Sequence, residues 1–102
     1  MADDHPAYRF RTRLWIYPGQ AGWHFVTLPH DVADEIEELT TPTRRGFGSV
    51  RVQATIGATT WQTSIFPDTK AESYVLPVKK PVRLSEGLAA EDWADVTLRL
   101  AE

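Results

Sequence analysis

The chain contains no cysteine. That excludes a disulfide frame, a thiolate metal site and a thiol nucleophile, so any core must hold without covalent staples. No apolar run approaches the roughly 18 residues of a membrane-spanning helix. Met1-Ala2-Asp3-Asp4-His5 is acidic where a secretory leader would be basic, and a soluble, cytoplasmic protein is the expectation. Positive charge is also short. Eleven Lys and Arg against 14 Asp and Glu leave a net charge of −3, which disfavours nucleic acid, a polyanion bound chiefly through clustered cations. HExxH and paired metal-ligand spacings are missing too. Ser64, Ser73 and Ser85 have no nucleophile elbow around them, and Gly46-Phe47-Gly48 is too short for a phosphate fingerprint. No catalytic residue, metal ligand or cofactor is assigned.

What is present reads as short strands. At 102 residues the chain supports one domain, placed at 8–102 behind a frayed tail at 1–7. Four tryptophans and seven prolines favour strands over long helices. From Tyr8 the residues alternate, with Tyr8, Phe10, Thr12, Leu14 and Ile16 on one face and Arg9, Arg11, Arg13, Trp15 and Tyr17 on the other. Pro18-Gly19 marks a turn, so Trp23 to Leu28 is expected to return antiparallel as a hairpin. Val50, Val52, Ala54 and Ile56 face inward on a third strand. After a turn at Gly57-Ala58, Thr60 to Phe66 forms a fourth, with Trp61, Thr63 and Ile65 inward. Ser73 to Val78 reads as a strand, as does the end of the chain, with Ala94, Val96, Leu98 and Leu100 inward.

Two helical pieces interrupt the strands. Pro29 stops the second strand, and a helix over about 31–39 follows, capped by Asp31 and carrying Val32, Ile36 and Leu39 as its apolar stripe. Its outer face (Asp31, Asp34, Glu35, Glu37, Glu38) is read as solvated charge. A helical turn at about 81–86 opens at Pro81 and closes at Gly87. The step Leu28-Pro29 thus recurs as Leu76-Pro77. The prediction is a mainly β barrel of about six strands built from two similar halves of one chain, which favours a monomer over a dimer.

Certain of these residues carry a family resemblance. Trp23-x-Phe25-Val26-x-Leu28-Pro29-x-x-Val32 leads to Gly46 or Gly48 and then Val50-Arg51-Val52-x-Ala54-Thr55-Ile56-Gly57. Tyr74-x-Leu76-Pro77-x-Lys79, Val82-Arg83 and Val96-x-Leu98 complete the pattern over about residues 8–100. The chain resembles small bacterial and archaeal proteins grouped as a domain of unknown function, sometimes fused to a YdeI/OmpD-associated-type domain. The resemblance implies a double-split β-barrel like that of AbrB, MazE and MraZ-like proteins. It brings no catalytic or binding residue with it. Where the family has Gly before an aromatic in the central turn, this chain has Gly57-Ala58-Thr59-Thr60-Trp61, which points to a longer turn.

Two surfaces are candidates for binding. Trp15, Trp23 and Phe25 could line a cleft or barrel end that takes a small ligand or a protein. Alternatively, Arg9, Arg11 and Arg13, with Arg44 and Arg45, could interleave with aromatics as a single-stranded nucleic-acid platform. A sheet face whose arginines pair with cross-strand carboxylates explains the same row more simply and is preferred. His30 beside Asp31 and Asp34 could form a base–carboxylate pair. His30 flanking the helix in solvent, and His24 packing beside Trp23, are the preferred readings. The expected function is a non-catalytic binding module, ahead of a nucleic-acid-binding regulator and, last, a small hydrolase.

Overall fold

The structure, a computed structural model, describes residues 7–19, 22–40 and 48–101. Residues 1–6 of the expected tail, and Arg44 and Arg45, lie outside the described residues, and Ala7 belongs to a strand. The elements run β1 (Ala7–Ile16), β2 (His24–Thr27), α1 (His30–Thr40), β3 (Val50–Ile56), β4 (Thr59–Asp68), β5 (Ser73–Pro77), α2 (Lys80–Glu86) and β6 (Trp93–Leu100). Every strand pairing is antiparallel, and the six strands close into a barrel in the order β1-β2-β5-β4-β3-β6.

Alternation decides which side chains fill it. Successive strand residues point to opposite faces, and β3 buries Val50, Val52, Ala54 and Ile56 while exposing Arg51. Leu14, Val26, Val52, Ile65, Leu76, Val96 and Leu98 are all but completely shielded and meet in one core. No backbone ladder is left as an open edge in a closed ring of strands. Among the described residues no helix is long and apolar enough to cross a membrane.

The chain's two halves are interchangeable in this ring. Exchanging β1 with β4, β2 with β5 and β3 with β6 leaves every strand with the same neighbours. The exchange is anchored where β2 and β5 pair with each other. Val26 lies opposite Leu76, and the Leu28 N–H donates to the Tyr74 carbonyl at 3.0 Å. Both Leu-Pro steps thus sit beside the same axis, and each proline leads the chain out toward a helix.

Three local expectations need correction. The Pro29 carbonyl accepts the first helical hydrogen bond, from the Ala33 N–H at 2.9 Å. Pro29 is therefore the cap position, and Asp31 sits within the first turn, where its charge favours the helix dipole. The buried stripe of α1 is Ala33 and Ile36, while Leu39 is exposed. Between β3 and β4 the turn is two residues long, because Ile56 already pairs with Thr59. Positive φ falls on Gly57 but not on Ala58, the pattern of a type II′ hairpin.

Glu86 ties that hairpin to α2. Its carboxylate accepts hydrogen bonds from the Ala58 N–H (3.2 Å) and the Thr59 hydroxyl (2.6 Å). The helix then ends at Gly87 in the left-handed region (φ 64°), with the Leu88 N–H returning to the Arg83 carbonyl at 2.8 Å. That closing bond defines a Schellman motif. Near the other helix, the Tyr8 hydroxyl is buried and has no hydrogen-bond partner among the described residues. Burial, and then the negative charge of Glu35, hold its phenol above the usual tyrosine range.

Candidate functional site

The β1–β2 hairpin puts its aromatic side chains on the outside of the barrel. Leu14 and Val26 pair facing inward, so the next pair along, Trp15 opposite Phe25, faces out. Their ring centroids lie 5.2 Å apart. Beyond them the Tyr17 N–H donates to the Trp23 carbonyl at 2.7 Å and closes the base of the loop. Both side chains are thereby brought back over Phe25, Tyr17 edge-on at 6.5 Å and Trp23 stacked at 6.1 Å. The inner end is fixed by hydrogen bonds, since Trp15 Nε1–H donates to Thr27 Oγ1 at 2.9 Å and the Thr12 hydroxyl to the Thr27 carbonyl at 3.1 Å.

These rings form one wall and the floor of a cleft of about 770 Å³, within the size range of small-molecule sites. The opposite wall is Pro67-Asp68-Thr69-Lys70, where β4 ends and the turn into β5 begins. Asp68 shapes that turn by accepting from the Lys70 N–H (3.1 Å) and the Ala71 N–H (3.4 Å). Val75 supplies further apolar floor. Tyr17 and Trp23 stay 55% and 57% exposed, so the cleft mouth is lined by unburied aromatic surface.

The family model described as "Domain of unknown function (DUF1905)" matches residues 10–98. The chain belongs to that family. No curated protein matches it. The family match spans both walls of the cleft and assigns no activity to either.

In this DUF1905 barrel the arginine row lies on another strand pair. Arg11 stands opposite Asp95 and Arg13 opposite Trp93 across the β1–β6 ladder. The two guanidinium carbons sit 5.4 Å and 5.0 Å from the centre of the Trp93 ring, which they share. Arg11 also lies 3.8 Å from Asp95, and Arg13 3.5 Å from Glu91. Arg9 is exposed on the same face, opposite Thr97.

The two described histidines are held by backbone. His24 Nδ1 lies 2.7 Å from the Gly22 carbonyl and His30 Nε2 2.8 Å from the Ala71 carbonyl. A carbonyl only accepts, so each of these nitrogens carries the proton. Among the described residues no three His, Cys, Asp or Glu side chains converge as a metal ion would require.

Trp15, Trp23 and Phe25 are thus brought together, while Arg11 and Arg13 engage Trp93, Asp95 and Glu91 instead. Tyr17 was missing from the ligand candidates although it alternates with Trp15 on the same strand face, a signal that could have found it. The Pro67–Lys70 wall had no such signal, because it is placed there by β5 pairing with both β2 and β4.

Proposed function

We propose that this chain is a non-catalytic binding module whose outer cleft takes a small ligand with a flat, apolar portion. The observation that carries the reading is the exposure of Tyr17 and Trp23 over Phe25, beside a core that is otherwise closed. Large aromatic rings left in water, held in a fixed array and facing a concave wall, provide stacking surface without a folding role to account for it. The residues that would bind are Trp15, Tyr17, Trp23 and Phe25. The hydrogen bond to Thr27 fixes Trp15, so part of the site is preorganised. A single chain closes the barrel, which supports a monomeric binder that needs no second copy.

The test is titration of the protein with a panel of flat aromatic compounds, read from the four tryptophan indole N–H resonances. The expected result is saturable movement of the Trp23 and Trp15 signals, lost in Trp23→Ala while that variant stays folded. Binding that bypasses both rings, or none across the panel, would end the proposal. Nucleic-acid binding is the less favoured reading, since Arg11 and Arg13 already share Trp93 and face carboxylates.

A further inference from the structure

Resting on that reading of the aromatic cleft, we infer that its ligand is an aromatic anion, a flat ring joined to a phosphate or carboxylate group. The anion would occupy a basic notch on the far side of Trp23. This second depression, about 200 Å³, shares Gly22 and Trp23 with the cleft, so a single indole divides the two. Among the described residues its charged groups are Lys79, Lys80 and Arg83, with His24 beside them and no carboxylate on its wall.

That separation of charge stands out on this molecule. The chain carries an excess of acid, and among the described residues the depression between α1 and the β4–β5 turn is lined by Asp34, Glu37, Asp68 and Glu72 without a cation. The aromatic cleft itself holds one charge of each sign, Asp68 and Lys70. Neither Lys79 nor Lys80 has an ion-pair partner among the described residues. Arg83 is oriented, since its Nε–H donates to the Val78 carbonyl at 3.2 Å and leaves the outer guanidinium nitrogens for another acceptor. The His24 ring is pinned through Nδ1, so Nε2 is its remaining polar atom. A ring lying on Trp23 would therefore stand next to cations that no carboxylate among the described residues neutralises. Phosphates and carboxylates share the chemistry this needs, several charge-assisted hydrogen bonds from convergent donors.

Four probes separate the parts: α-naphthyl phosphate, α-naphthoate, α-naphthol and inorganic phosphate, each titrated into the full chain and followed by the Trp23 indole N–H. One or both naphthyl anions should bind about tenfold or more tighter than naphthol, as charge-assisted contacts supply. Which of the two binds tighter identifies the anion. The exposed pair Lys79→Ala/Lys80→Ala should erase that advantage and leave naphthol binding as it was, with raised salt acting in the same direction. Equal affinity for naphthol and the anions would overturn the notch and leave the cleft reading standing. Inorganic phosphate binding as tightly as naphthyl phosphate would uncouple notch from ring and overturn the inference. Failure of every naphthyl compound to move Trp23 would defeat both readings. A single-stranded oligonucleotide that binds with a steep salt dependence, lost in Arg11→Ala/Arg13→Ala but kept in the lysine pair variant, would replace them with the nucleic-acid alternative.

Discussion

Substituting Gly57 by alanine tests the lock between the β3–β4 hairpin and α2. Gly57 has φ +60°, a conformation that costs an L-residue about 1–2 kcal/mol. A Cβ there would also meet the Glu86 carboxyl group, whose Cδ would be 2.8 Å away. Glu86 can swing aside, but only by giving up its bonds to Ala58 and Thr59. Hydrogen bonds to a charged group are worth about 1.5–3 kcal/mol when sheltered, and partial exposure places these nearer 1–2 kcal/mol. Gly57→Ala should therefore lose about 2–4 kcal/mol, and Glu86→Ala alone about 1–2 kcal/mol. With Glu86 already removed, Gly57→Ala should cost only its backbone strain, so the double variant falls short of the sum by about 1–2 kcal/mol. Urea unfolding of the four proteins, followed by tryptophan fluorescence, measures the cycle. Additivity within about 0.5 kcal/mol would show that the carboxylate and the turn are independent, and would refute the lock.

Three further outcomes follow from the packing. Tyr8→Phe removes a buried hydroxyl that has no partner among the described residues and should raise stability by about 1 kcal/mol at neutral pH; a loss of that size would mean the hydroxyl is paired. The same variant has a pH signature. The folded phenol holds its proton to higher pH than the unfolded one, whose pKa is 10.0, so above about pH 10 the folded state binds more protons and stability falls. Urea midpoints should thus fall more steeply with alkaline pH in the parent than in Tyr8→Phe, and parallel slopes would contradict the cause given. Leu98→Ala empties the core between β1 and β3 and should cost about 2–5 kcal/mol in denaturant unfolding. Trp93→Ala and Arg13→Ala should each lose about 0.5–1 kcal/mol and combine to less than their sum, as partners in one cation–π contact do.

The strands were legible because their signal is local. In β3 and β6 alternate positions carry Val, Ile, Ala and Leu, and the structure buries all of them but Leu100, which is half-buried against the core. The start of α1 was misplaced because a proline carbonyl opens the helix, and no side-chain pattern marks a carbonyl. Its stripe was misread because Ala33 is too small to register beside Leu39, although Ala33 is the residue that packs. At the site, Trp15 and Phe25 could be placed together from the hairpin alone, since a short loop fixes which residues face each other. The sharing of Trp93 by Arg11 and Arg13 depends on β6 pairing with β1, a contact between opposite ends of the chain. Lys79, Lys80 and Arg83 stand close together in the chain. Their nearness to Trp23 was not legible, because it follows from β2 and β5 lying side by side.

The seam between β1 and β6 has a bearing on how the molecule is made. One side of it is the first strand of the ring in sequence and the other the sixth, so the ring seals only when segments far apart in the chain have met. Contacts between such distant parts of a chain form slowly, and an unsealed strand flank is what neighbouring nascent chains can adhere to. Truncation within the final eight-residue strand would uncover β1 and β3 together, because both border it.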